Sequence, residues 1–248
     1  MKKAGKTIVI SQPMYFPWCG LLNHLMMSDV FVHYDDVQFA RGFFNRVQAK
    51  TPQNFSWLTV PLRNRHRGQL IKNCTINYQE NWIYKHRETL KNTLNNAPFI
   101  NDVLNLFDHV TEPKHTYLGE LSIASVEATA KYLGIDQKTK FYKSGELEIE
   151  GTSSQRLMDI VKHFDGKIYI TGHGALNYLD HELFEKNNIE VQYMNYNIEK
   201  YPQFFGTFTP YVTCLDAIAH LGTDTVKILQ STTLNWKESI ERSEELRA

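Results

Sequence analysis

The N-terminal stretch up to Tyr34 constrains the fold more than any other part of the chain. Lys6–Ser11 (KTIVIS) is short and rich in β-branched residues, the signature of a buried strand. Gln12–Gly20 follows as a polar, aromatic loop with two prolines, Leu21–Ser28 reads as a short helix, and Asp29–Tyr34 (DVFVHY) as a second strand. Strand, loop, helix and strand within about 30 residues make a βαβ unit. Such a unit implies a parallel pair with a right-handed crossover. Ligands of a parallel sheet bind beyond the carboxyl ends of its strands. Both the Gln12–Gly20 loop and the Asp35-Asp36 pair fall at such ends.

A second unit of the same kind lies downstream. Lys167–Thr171 (KIYIT) reads as a strand that runs into Gly172-His173-Gly174, followed by a helix over Leu176–Asn187 and a strand over Ile189–Met194. Between the two units, Gln48–Arg63 contains an alternating strand that stops at Pro61, Arg63–Arg67 is a basic loop, and Leu70–Ile76 is a strand candidate. Helices are expected over Asn81–Asn96, Phe99–Val110 and Leu118–Leu133, the last stopped by Gly134. A weak strand over Thr139–Tyr142 precedes a helix over Thr152–Phe164, where Thr152 or Ser153 can cap free amides. Asp216–Leu221 and Thr223–Gln230 read as helical, and the charged C-terminal residues read as frayed. The expected fold class is α/β: a mostly parallel sheet flanked by helices, Rossmann-like, with a helical insertion in the middle of the chain. Residues 1–248 are expected to form one domain, within which about residues 80–135 could stand as a helical subdomain.

Composition narrows the function. Lys+Arg and Asp+Glu are both 27, so the net charge is zero, which argues against a nucleic-acid partner. Cys19, Cys74 and Cys214 are isolated, as ordinary buried thiols in a reducing compartment would be. Lys2 and Lys3 precede an apolar run, but Ile8-Val9-Ile10 is too short for a signal-peptide core. No segment approaches the roughly 18 apolar residues of a membrane span, so a cytoplasmic protein is expected. The ten histidines are dispersed and no CxxC, HExxH or GxSxG pattern occurs; no metal site is expected.

Four clusters carry candidate chemistry. Gln12-Pro13-Met14-Tyr15-Phe16-Pro17-Trp18-Cys19-Gly20 is either a stiff ligand loop or an aromatic plug on the core. Gln12 would donate and accept, Tyr15 and Trp18 would offer flat faces, and Gly20 would let backbone approach closely. Asp35, Asp36 and Gln38, followed by Arg41, Asn45, Arg46 and Lys50, are either a site for a phosphate or sugar or a solvated turn with ion pairs. Trp82 and His86 share a helix face; His86 is a candidate general base, a structural histidine being the alternative. The fourth cluster is Thr152–Arg156 together with Thr171-Gly172-His173-Gly174-Ala175, Tyr178 and Asp180, a weak phosphate cradle without GxGxxG or a P-loop, in which His173 is either a lone general base or an ordinary loop histidine.

These clusters, in this order, resemble the WbqC-like family of bacterial surface-polysaccharide loci. The resemblance rests on ISQPMYFPWCG, DVFVHYDDVQFARGFFNRVQAKTP, WLTVPL, the Trp82–His86 pair, TSSQRL, YITGHGALNYLD and YPQFFGTFTPYVTCLDAI, and spans Ile10 to about Gly222. Ser11 stands where the family often has His, and Gly42-Phe43-Phe44 where it often has Trp and Gln, so no role carries over at those positions. On motif match the resemblance carries over Gln12, Tyr15, Pro17, Trp18, Gly20, Asp35, Asp36, Gln38, Asn45, Arg46, His86, Arg156, Gly172, Tyr178 and Asp180. It implies a role beside O-antigen or lipopolysaccharide biosynthesis, with a nucleotide- or lipid-linked amino sugar as substrate and acyl or aminoacyl transfer as the reaction.

The expected catalytic groups are Asp36 or His86 as base, with Asp35 beside them; Arg46 and Arg156 would hold one anion from two sides. The cofactor is left open between an acyl or aminoacyl donor and ATP with Mg. The ATP alternative, a ligase or nucleotidylyltransferase-like enzyme, rests on the strand–loop–helix layout of the first unit. A non-catalytic binder in a glycan-assembly complex is the third expectation. Convergence of Gln12, Asp36, Asn45 and Arg46 in one concave pocket separates an enzyme from that binder.

Overall fold

A computed structural model describes residues 5–40 and 42–245. Lys2, Lys3 and Arg41 of the sequence reading lie outside the described residues, as does the end of the charged C-terminus. In chain order the elements are β1 (Thr7–Ser11), α1 (Cys19–Met26), β2 (Val30–His33), β3 (Arg46–Thr51) and β4 (Asn54–Thr59). Then follow α2 (Trp82–Thr93), α3 (Ile100–Thr111), α4 (Leu118–Leu133), β5 (Lys140–Lys143) and α5 (Ser153–His163). The chain continues with β6 (Ile168–Thr171), α6 (His181–Lys186), β7 (Glu190–Asn195), α7 (Cys214–Leu221), β8 (Thr232–Asn235) and α8 (Trp236–Glu245).

The main sheet has strand order β5-β2-β1-β6-β7-β8. All its pairs are parallel except β7–β8. The α/β, Rossmann-like expectation therefore holds. Alternation along β1 explains why its residues are apolar on both faces: Ile8 and Ile10 pack into one cluster with Val30, Val32 and residues of α5, while Val9 packs into another with Leu21 and Leu25 of α1 and Val126 of α4. A sheet covered on both faces needs such near-continuous apolar strands.

The third and largest cluster lies beside the sheet. Helices α2, α3, α4 and α7 pack there with Val47, Ala49 and Leu58 of the β3–β4 hairpin. Tyr15 and Phe16 reach into it from the loop after β1. The predicted α4 agrees with the structure end for end, and Gly134 caps it at φ 67°.

Several local expectations are corrected. The Gln48–Arg63 segment is a hairpin, with β3 running antiparallel to β4 from Arg46↔Thr59 to Thr51↔Asn54. Leu70–Ile76 is not a strand: Ile71–Asn73 is a 3-10 turn with isolated bridges on either side. The helix expected over Leu176–Asn187 is divided into a 3-10 turn, His173–Asn177, and α6. The division falls where the Asp180 carboxylate accepts from the Leu183 N–H at 3.0 Å and starts a new helix. Thr223–Gln230 is largely a 3-10 turn over Gly222–Ile228. The segment from Thr232 is ordered into β8 and α8 rather than frayed, because β8 pairs with β7 from Gln192↔Asn235 to Asn195↔Thr232.

Candidate functional site

The chain leaves β1 toward β2 on one side of the sheet, and leaves β6 toward β7 on the other. The crevice between the carboxyl ends of β1 and β6 is therefore the topological switch point, where open α/β sheets bind ligands. A cavity of about 500 Å³ lies there. Its lining includes Ser11 at the end of β1 and Gln12 after it, Trp18 at the head of α1, Tyr34 after β2, Ser153 at the start of α5 and Gly172 after β6. Tyr178 and Tyr196 complete its aromatic walls.

The loop after β1 divides between the core and the cavity. Tyr15, Phe16 and Pro17 are buried. Phe16 stacks on Phe107 with ring centres 5.8 Å apart, its N–H donates to Ser125 Oγ at 2.9 Å, and its carbonyl accepts from Thr213 Oγ1 at 2.9 Å. These contacts hold Phe16 at φ 36°, a left-handed conformation costly for a side-chain-bearing residue. Gln12, Met14 and Trp18, by contrast, face the cavity. Gly20 is required beneath Trp18, because a Cβ at residue 20 would meet the indole carbons at 2.2 Å.

Of the residues singled out in the sequence, Gln12, Met14, Trp18, Ser153, Gly172, Gly174 and Tyr178 are thus brought together. The charged candidates, with Gln38, Asn45, His86 and His173, are placed elsewhere. Asp36 is gripped by Arg156 through both carboxylate oxygens, at 3.1 Å from Nη1 and 2.6 Å from Nη2. Burial pushes the Asp36 carboxyl up, but hydrogen bonds from Arg156 and Ser144 outweigh it and hold the pKa below the ordinary value. Asp35 is buried and accepts from the Gly145 N–H at 3.0 Å and Ser144 Oγ at 3.3 Å. Both carboxylates therefore tie β2 to the segment after β5. The Asp36–Arg156 pair borders a separate crevice with Gly145 and Gly151. It stands behind the switch-point cavity, the guanidinium lying 5.2 Å from the centre of the Tyr34 ring.

His86 is also committed. Its Nδ1 is 3.1 Å from the Tyr15 hydroxyl, and Trp82 packs against its ring at 5.2 Å. Burial lowers its pKa to about 4. His86 lines neither the switch-point cavity nor the one with Arg46. Asn45 and Arg46 line a different cavity of about 330 Å³ with Arg65. Arg46 lies 4.2 Å over Trp57, and Asn45 Nδ2 donates to the Val60 carbonyl at 2.9 Å. Lys50 is buried, donating to Gln203 Oε1 at 2.8 Å and to the Thr207 carbonyl at 2.6 Å. Gln38 is exposed and pairs only as an isolated bridge with Leu70. His173 is exposed and borders a neighbouring cavity. The expected clamp of Arg46 and Arg156 on one anion is not formed, because Arg156 already has a carboxylate and the two line separate cavities. Nor do Gln12, Asp36, Asn45 and Arg46 converge in one pocket, so the arrangement expected to favour an enzyme over a binder is not formed by these four residues.

The sequence reading missed His24, Tyr34 and Tyr196. His24 Nε2 lies 3.3 Å from the Tyr196 hydroxyl, and both residues line the switch-point cavity. Tyr34 and Tyr196 each sit just past the carboxyl end of a strand, a signal that position alone could have supplied. His24 is hidden in an apolar helix and had no such signal.

The family model described as the WbqC-like protein family matches residues 12–228. The chain belongs to that family. It is also similar to the uncharacterized protein Rv1507c of Mycobacterium tuberculosis, at 29% identity over 223 residues, covering 88% of this chain and 95% of that protein. No solved structure matches. The switch-point cavity lies within the part of this WbqC-like chain that the family model covers, apart from Ile10 and Ser11. No helix among the described residues is long and apolar enough to cross a membrane. Among the described residues no group of three or more His, Cys, Asp or Glu side chains could hold a metal ion. All three cysteines are buried and unpaired.

Proposed function

We propose that this WbqC-like protein is a cytosolic transferase that moves an acyl or aminoacyl group onto a nucleotide- or lipid-linked amino sugar for a surface polysaccharide. The observation that carries this reading is the switch-point cavity itself: aromatic faces from Trp18, Tyr178 and Tyr196 beside the Gln12 amide, with no carboxylate or cationic side chain in the lining. A sugar ring offers apolar faces edged with hydroxyls, which such a lining matches. Across the Gly42–Asn45 segment, whose Phe44 borders this cavity, the crevice lined by Arg46 and Arg65 supplies guanidinium groups suited to phosphate. The surface-glycan setting comes from the family resemblance.

One observation favours an ATP-dependent ligase as a second reading. Ser153, the first residue of α5, and the Gly172–Gly174 turn both reach the cavity, where backbone amides can meet phosphate oxygens.

Purified protein incubated with nucleotide-linked amino sugars and thioester or aminoacyl donors should yield a sugar heavier by one acyl group on mass spectrometry. The sugar alone should raise the melting temperature; ligand at 100 times its Kd adds about 2.7 kcal/mol. Unchanged sugar masses and an unchanged melt across the panel would overturn the transferase reading. A melt raised by Mg·ATP, with AMP or pyrophosphate released, would favour the ligase.

A further inference from the structure

None of the side chains lining the switch-point cavity is Asp, Glu, Lys or Arg. Its one imidazole, His24, is 6% exposed, and burial lowers its pKa to about 4. Burial likewise raises the phenols of Tyr34, Tyr169, Tyr178 and Tyr196. These ionisable groups are held uncharged by the same cause, loss of water. From outside the lining, His173 and Arg242 border the far side of Tyr196, and Arg156 beside Tyr34 is neutralised by Asp36.

The backbone of Thr171 favours a proton on the imidazole, and Nδ1 is buried with no hydrogen-bond partner among the described residues. A proton on Nδ1 leaves Nε2 as the acceptor for the Tyr196 hydroxyl, 3.3 Å away. The phenol oxygen then has lone pairs for another donor. Gly172 keeps the space clear: a Cβ there would sit 3.2 Å from the Tyr196 hydroxyl and 3.7 Å from His24 Cε1. Tyr196 also lines a second cavity of about 500 Å³ with Tyr211 and Arg242, so this side chain is approached from two sides.

We propose that the switch-point cavity binds the amino group of its ligand as the free base, with the Tyr196 hydroxyl, backed by His24, accepting a hydrogen bond from it. This rests on the amino-sugar reading above. An ammonium group in the cavity would lose water and find no carboxylate in exchange. The amine therefore leaves a proton in bulk solvent as it binds, and arrives with its lone pair free to attack an acyl carbon. The nitrogen attacks the carbonyl carbon of a thioester or acyl phosphate. The C–N bond forms, the C–S or C–O bond breaks, and the leaving group departs with the bonding pair. The proton shed by nitrogen passes to Tyr196 Oη as the phenol's own proton moves to the leaving group, giving an amide and a thiol or phosphate with the phenol restored and no charge placed on His24, which orients the phenol through Nε2. Tyr196 touches the reacting nitrogen; His24 is a positioning residue.

Calorimetry with UDP-linked glucosamine and UDP-linked N-acetylglucosamine, in two buffers of different ionisation enthalpy, tests this on the wild-type chain. Below the pKa of the free amine, glucosamine binding should release about one proton and tighten roughly tenfold per pH unit. N-acetylglucosamine binding should release none. Tyr196→Phe should remove most of the preference for the amine, and His24→Gln should weaken that preference, read as the ratio of the two sugars' affinities. An amine that binds without proton release, or equal release by both sugars, would overturn this proposal and leave the amino-sugar reading standing. Failure of both sugars to bind would overturn that reading and this proposal together.

Discussion

His24 and His86 show how strongly single residues here depend on what the fold puts around them. Both are buried imidazoles held near a pKa of about 4. In the unfolded chain they would titrate near about 6.5. Between these values the unfolded state binds more protons, so stability is complete above about pH 6.5 and falls as the pH drops toward 4. Each imidazole should cost on the order of 3 kcal/mol by the acid end of that window. His86→Gln, which keeps a polar partner for Tyr15, should flatten the fall in urea midpoint between pH 7 and pH 4; an unchanged slope would show that His86 is not held neutral. In sequence, His86 drew attention as a base because Trp82 lies one turn away, yet it is the Tyr15 hydroxyl, 71 positions earlier, that engages its ring. The equally buried His24 drew none, because its partner Tyr196 is 172 positions away.

At the level of elements, the Asp35-Asp36 pair joins segments rather than lining the switch-point cavity. It links the end of β2 to Ser144 and Gly145 after β5 and, through Arg156, to α5. The Arg156 side chain is 9% exposed and that of Asp36 14%. Asp36→Asn removes the charge that balances a buried guanidinium and should cost about 3–5 kcal/mol in urea unfolding. Because the folded carboxyl lies below its ordinary value, this contribution is present above the unfolded pKa and is lost as the pH falls through the folded one. The difference between wild type and variant should therefore shrink in strong acid; a loss under 1 kcal/mol at pH 7 would mean that the pair does not hold these segments together. The parallel strands were legible because runs such as Ile8-Val9-Ile10 are apolar on both faces. The hairpin's first strand was not, because RVQAKT carries only two apolar side chains, Val47 and Ala49, and buries the charged Lys50 beside them. Strand β8 escaped notice because TTLN is short and acquires its order only by pairing with β7.

Across the whole molecule, two strand–loop–helix units place their loops at one edge of one sheet, and the cavity between those loops follows from the parallel order β2-β1-β6-β7. That placement could be read from the sequence. The identity of the lining could not, since it depends on which face of each loop turns inward: in Gln12–Gly20, Tyr15 and Phe16 turn to the helical core while Gln12 and Trp18 turn to the cavity. The central claim is that this cavity, and not the arginine-lined crevice alone, receives the sugar. Methyl NMR during titration with a UDP-linked amino sugar tests it most directly. Ile10, Leu21 and Leu157, which line the cavity, should shift in step with ligand, while Val103 and Val110 in the helical core stay fixed. Shifts confined to Val60 and Leu62, beside Arg46, would contradict it.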